Sequence, residues 1–144
     1  MKQTHPALRN PLTWLAGLIS SAVLIIVWVT QPPTPLAGGA LVPVRVPTQL
    51  SDVALVGRQA FDLNCAVCHG ANAAGQAGVA PPLVHRIYEP GHHGDGSFQR
   101  AVANGVRAHH WTFGDMPPIA GLDQNDVALI TVYIRELQRE NGIL

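Results

Sequence analysis

Lysine is nearly missing from this 144-residue chain: Lys2 is the only one, and no run of arginines replaces it. Binding to nucleic acid needs a basic patch or stripe to meet phosphates, so the sequence argues against that class of partner. From residue 45 onward seven arginines stand against nine acidic residues, and the whole chain is formally neutral. Cysteine is almost as scarce, with Cys65 and Cys68 the only two. That leaves room for one pair of thiols and excludes a disulfide framework. No βαβ pattern surrounds the pair, which argues against a thioredoxin-like redox motif. Methionine is limited to Met1 and Met116.

What is present centres on Cys65-Ala66-Val67-Cys68-His69. Two cysteines three residues apart, followed at once by histidine, read as the attachment site of a covalent haem. Both thiols can bond to the vinyl-derived carbons along one porphyrin edge, and the histidine is held where its imidazole can ligate the iron. A zinc site is the rival reading, with Cys65, Cys68 and nitrogens drawn from His92-His93 or His109-His110. Adjacent histidines are poorly placed to converge on one ion, and zinc leaves the Cys68-His69 juxtaposition unexplained.

Residues 12–30 carry no charge. As a helix these residues would extend ~28 Å, close to the ~30 Å hydrocarbon core of a bilayer. Trp14 and Trp28 lie near the ends, and Lys2 and Arg9 precede the run, which favours a cytoplasmic N-terminus. The expected organisation is a cytoplasmic segment at 1–10, a transmembrane anchor at 11–30, a linker at 31–50 and a haem domain at 51–144. A cleaved secretory signal is the competing reading, but its apolar region usually spans only ~7–15 residues. Either reading exports the C-terminal part, which places the haem domain on the periplasmic or extracytoplasmic side. The linker holds five prolines and the Gly38-Gly39 pair, so it reads as extended chain. It is either a tether or a spacer packed on a neighbour.

Within 51–144 the pattern predicts helices joined by long loops. Ser51 is a good N-cap for a first helix, with Val53, Val56, Gly57, Ala60, Phe61 and Asn64 on one face. The stretch after His69 is rich in Gly and Ala and reads as a loop wrapping a flat apolar object. A second loop is expected over 85–96, then a short helix capped by Ser97 and ended at Asn104-Gly105, then a third loop over 106–120. The final helix starts at Asp123 and Asp126 in a capping-box pattern, with Val127, Ile130, Tyr133, Ile134 and Leu137 as its apolar stripe. Arg135 and Arg139 suit the negative end of its dipole. Long loops normally count against a compact domain. Here a large buried cofactor supplies the missing core.

If His69 holds one side of the iron, Met116 is the natural ligand for the other, since Met1 lies before the apolar run. Thioether sulfur raises the reduction potential, and an iron with both axial positions filled suits electron transfer. Pro117 and Pro118 would stiffen the Met116 segment.

In combination, Gly57-x-x-x-Phe61, Cys65-x-x-Cys68-His69, Pro81-x-Leu83, Met116-Pro117 and a last helix with Tyr133 make residues 51–144 resemble a class I cytochrome c. The resemblance implies an all-α fold of a few helices and long loops around one covalent haem c. It implies that the Pro81 carbonyl orients His69 and that Leu83 packs on the haem. It also implies that Gly57 and Phe61 of the first helix meet Tyr133 of the last. Ala80 stands where that family often has glycine.

The expected function is a membrane-tethered carrier of single electrons in a respiratory or photosynthetic chain, with redox proteins or a larger membrane complex as partners. The alternative is a haem enzyme or gas sensor in which Met116 leaves the iron. His109 or His110 could replace Met116 as ligand, and Trp111 and Arg107 are equal candidates for the haem propionates. His92 and His93 sit in a glycine-rich loop and read as exposed, with a bound copper ion there as an open alternative.

Overall fold

The computed structural model describes residues 39–144. The apolar block at 11–30, and with it the expected anchor, lies outside the described residues. Among the described residues no helix is long and apolar enough to cross a membrane.

Four helices and two 3₁₀ turns make up the described part, with no strands beyond two isolated bridges. Helix α1 runs Asp52–Asn64. The Ser51 hydroxyl accepts from the Ala54 amide and donates to Glu136 at 2.6 Å, so the cap also fastens α1 to the last helix. Helix α2, Ala66–His69, follows directly after Cys65. Helix α3 is Asp95–Asn104 and α4 is Gln124–Glu140. The capping box of α4 is made in both directions between Asp123 and Asp126.

The core lies where α1 crosses α4. Ala54 and Phe61 of α1 are buried against Ile130, Tyr133, Ile134 and Leu137 of α4. The Phe61 and Tyr133 rings are 5.6 Å apart and tilted, and the Tyr133 hydroxyl donates to the Asn72 side chain. Gly57 makes the crossing this tight. A Cβ there would sit 2.0 Å from the Leu129 carbonyl oxygen. This explains where the expected buried face of α1 was wrong: Val53 and Val56 are 47% and 51% exposed. Backbone-to-backbone approach selects the side of the helix that carries Ala54 and Gly57, and the bulky β-branched residues turn outward.

The other differences concern helix ends and one arginine. Helix α3 begins at Asp95, with Gly94 as its cap, rather than at Ser97. Ser97 sits inside the first turn and donates its hydroxyl back to the Gly94 carbonyl at 2.6 Å. Arg135 does not serve the dipole of α4; it is buried, with 7% of its surface exposed.

The stretch expected as linker, 31–50, is bound to the domain over its second part. Leu41 and Val42 amides donate to the Ala74 carbonyl, and Ala77 donates to that of Gly39. Arg45 exchanges backbone hydrogen bonds with the Asn141 side chain, and its guanidinium reaches the Glu140 carbonyl at 3.0 Å. Proline-rich chain has few internal hydrogen bonds to satisfy it, so these groups find partners on the domain.

Gly57→Ala tests the crossing. Alanine favours a helix interior by about 1 kcal/mol over glycine. Overpacking against fixed backbone costs about 3 kcal/mol and should win. Denaturant unfolding should show a net loss of about 2 kcal/mol; unchanged or raised stability would show that the helices can part at no cost.

Candidate functional site

Cys65 ends α1 and starts α2, because its amide still donates to the Phe61 carbonyl while its own carbonyl already accepts from Cys68 and His69. One short helical turn therefore fixes both thiols and the His69 imidazole together. The thiols are free, Cys65 half-buried and Cys68 exposed. Burial, and then the neighbouring Cys68, push the Cys65 thiol up to about 11. That shift favours the protonated thiol, the reverse of what a reactive redox cysteine needs.

After His69 the chain folds back on itself. Gly70 adopts φ 71°, and a Cβ there would meet the Gly75 carbonyl at 2.5 Å. Asn72 and Ala73 are also left-handed. The Ala73 carbonyl then accepts from Leu83 and Val84, which closes the loop and delivers Pro81 next to His69. The His69 Nδ1 lies 2.8 Å from the Pro81 carbonyl. A carbonyl only accepts, so Nδ1 carries the proton and Nε2 keeps its lone pair. Burial lowers the His69 pKa, and the Pro81 carbonyl partly offsets this, so the imidazole is held neutral and able to ligate.

These residues line a mainly apolar cavity of about 510 Å³. Its wall includes Cys65, Cys68, His69, Pro81 and Leu83 from the first half of the domain, and Met116 and Pro117 from the third loop. The structure thus brings all six sequence-predicted site residues to one space. Met116 is fixed by a two-way bridge with Val106, each amide donating to the other's carbonyl at 2.9 Å. Gly105 permits the bridge, since a Cβ there would lie 2.5 Å from the Met116 carbonyl.

The second loop is held by α4. Arg135 donates to the Tyr88 and His93 carbonyls, to the Gln138 side chain and to Asp95. Its guanidinium also lies 5.1 Å over the Phe98 ring. Gln138 donates to the carbonyls of Leu83 and Tyr88. Sequence reasoning missed both anchors. The available signal was position: Thr131, Arg135 and Gln138 interrupt a helical stripe that is otherwise apolar, and polar residues on a buried face need partners.

The propionate candidates separate. Trp111 lines the cavity and Arg107 does not, while Arg100, unremarked in the sequence, does. The Trp111 ring stacks on Phe113 at 5.7 Å. Burial raises the Tyr88 hydroxyl, and the nearby Trp111 indole partly offsets that rise. The Trp111 Nε1 itself is buried and meets no acceptor at hydrogen-bond geometry.

A haem fits these residues. Two free thiols and one neutral imidazole share a helical turn, a thioether sulfur lies elsewhere on the wall, and the lining is apolar. The Trp111 indole N–H, which has only the Tyr88 hydroxyl nearby and no well-aligned acceptor, is a donor on the cavity wall that could meet a propionate. The zinc alternative finds no such support. Among the described residues the group of three or more metal-ligating atoms within reach of one another is His92, His93 and His110, and neither cysteine belongs to it. Against the sequence expectation, the adjacent His92 and His93 do converge there, their ligand atoms within 4.8 Å of each other and of His110, which His92 meets from another loop at 3.5 Å.

The family described as Cytochrome c matches residues 54–138. A cytochrome c550 of Pseudomonas aeruginosa is 42% identical over 65 residues, which is 44% of this chain and 43% of that protein. The chain thus matches less than half the length of that relative. No solved structure matches significantly.

Arg135→Met keeps volume and removes every bond the guanidinium makes. Asp95 is 73% exposed and adds little as an ion pair. The His93 carbonyl and the buried Gln138 Oε1 lose this donor, at about 1–3 kcal/mol each, while the Tyr88 carbonyl keeps Gln138. Chemical denaturation should show a loss of about 3 kcal/mol; a loss under about 1 kcal/mol would mean that Gln138 alone holds the second loop.

Proposed function

Because the chain belongs to the cytochrome c family, whose cofactor is covalently bound haem c, we propose that it carries single electrons between redox proteins from a tether on the outer face of a membrane. The observation that carries this reading is the convergence of His69, with its Nδ1 committed to Pro81, and Met116, locked in its bridge to Val106, on one apolar cavity. Haem bound there supplies an iron that cycles between the ferric and ferrous states.

The chain's own residues set the conditions. Cys65 and Cys68 would hold the group as thioethers, and His69 and Met116 would be the axial ligands. The Pro81 carbonyl orients the imidazole and raises its basicity, the usual part of a second partner to a ligating histidine. The Val106 bridge resists movement of Met116, so the ligand set need not rearrange when the charge changes. The apolar lining excludes water and favours the lower charge of the reduced state. Leu83 would pack on the ring, and Trp111 and Arg100 would meet its acidic edge.

The tether rests on the uncharged run at 11–30 with Lys2 and Arg9 before it. The domain has no lysine, so strong positive steering of an acidic partner is missing. Tethering substitutes by raising the effective concentration at the membrane. Electrons would leave by the surface near Ala66, Val67 and the Met116 segment, where Cys68 is exposed.

Met116→Ala tests the carrier. The oxidised wild-type protein should show the weak far-red absorption band of methionine bound to ferric haem, and the variant should lose it. The reduced variant should bind carbon monoxide quickly, and the wild type slowly. Fast binding by the wild type would instead support a sensor or enzyme with a displaceable methionine. A separate measurement tests the tether: the full chain should stay with the membrane through an alkaline carbonate wash. Its release into the supernatant would remove the anchor from the proposal and leave the carrier.

A further inference from the structure

We propose that His92, His93 and His110 form a binding site for a divalent transition-metal ion, with zinc(II) the best fit, at the rim of the haem cavity. The ligand atoms of the three imidazoles all lie within 4.8 Å of one another. They come from two segments distant in sequence. His92 and His93 precede α3, and their amides both donate to the Glu89 carbonyl. His110 sits within the loop that Val106 and Met116 close. His93 and His110 also line the cavity, so the cluster stands at its edge.

The distances suit a tetrahedral ion. Two nitrogens bound to zinc at ~2.05 Å lie ~3.3 Å apart. The His92 and His110 Nε2 atoms are already 3.5 Å apart. His93 has its Nδ1 against the Ile87 carbonyl. That hydrogen bond commits the proton to Nδ1 and leaves Nε2 as the free donor, the arrangement typical of a metal-ligating histidine. The His93 ligand atom lies within 4.8 Å of the other two, and His92 and His110 are exposed.

The donor set selects the class of ion. Three neutral nitrogens, with no carboxylate in the group, suit zinc, copper or nickel and do not suit magnesium or calcium. His109 lies beside the group without belonging to it, its ring 4.3 Å from that of His110 and its Nδ1 against the Arg107 carbonyl. Water would complete the coordination. A bound ion would link the second loop to the Met116 loop, in addition to the contacts that His85 and Tyr88 of the second loop make with Trp111. The carrier reading takes His69 and Met116 as its iron ligands and leaves His110, the alternative the sequence offered, free for this site, which therefore stands or falls apart from that reading.

The test is calorimetric titration of the full-length haem-loaded protein with zinc chloride in a buffer that does not bind metals. One equivalent should bind, and the thermal midpoint should rise with zinc. The double variant H92A/H110A should lose at least about 10-fold in affinity. His109→Ala should bind as the wild type does. The haem spectrum of each variant reports folding; if the double variant proves unstable, His92→Gln alone should still weaken binding. A second probe is copper(II), whose paramagnetic resonance should show coupling to three nitrogens in the wild type. No binding by the wild type, or equal affinity in H92A/H110A, would overturn the site. So would zinc that abolishes the far-red haem band, because the ion would then be taking the iron's ligands.

Discussion

No side-chain atom fits between α1 and α4 where Gly57 meets the Leu129 carbonyl. Most of the domain depends on that contact. It sets how deeply the two helices approach, which brings Phe61 onto Tyr133 and buries Ile130, Ile134 and Leu137. It fixes the end of α1, and so the position of the turn that carries both cysteines and His69. It also fixes α4 as a platform. From there Gln138 holds Leu83 and Tyr88, while Arg135 holds Tyr88 and His93. The loops around the cavity have little regular structure of their own. The second is ordered by Arg135 and Gln138 of α4, and the others by backbone bonds at Ala73 and between Val106 and Met116.

The chemistry was more legible in the sequence than the packing. The spacing of Cys65, Cys68 and His69 follows from covalent and ligand geometry, which is local and leaves a local signature. Met116 could be singled out by elimination because methionine is so rare here, and it lines the same cavity as His69. The start of α4 was equally plain, since Asp123 and Asp126 satisfy each other within one turn. The buried side of α1 was not. Hydrophobic spacing favoured Val53 and Val56, but the crossing is decided by how closely two backbones approach, and small residues carry no hydrophobic signal. Arg135 was misread for a related reason. On a helix seen alone, an arginine near the C-terminus suits the dipole; only the folded loops supply the carbonyls that draw it inside. The cluster of histidines was only half visible: a metal at His92 and His93 could be considered, but nothing local links that pair to His110.

Polar groups near the cavity fall into two kinds. Arg135 and Gln138 are buried and satisfied, and they hold loops in place. The Trp111 Nε1 is buried and has no well-aligned acceptor, with only the Tyr88 hydroxyl near it. A buried donor without a partner is costly, so it is rarely kept unless something else meets it. The first kind describes the domain as a scaffold. The second describes what the scaffold was shaped to receive.

The Asn141 side-chain amide clasps the Arg45 backbone, accepting from its N–H and donating to its carbonyl. Neither residue lines the cavity. The clasp holds the segment before α1 against the residue that follows α4. A circular permutant joined there and opened at an exposed loop would keep every contact between α1 and α4. Continuity of the chain between those two helices is thus a different matter from the contact that holds them together.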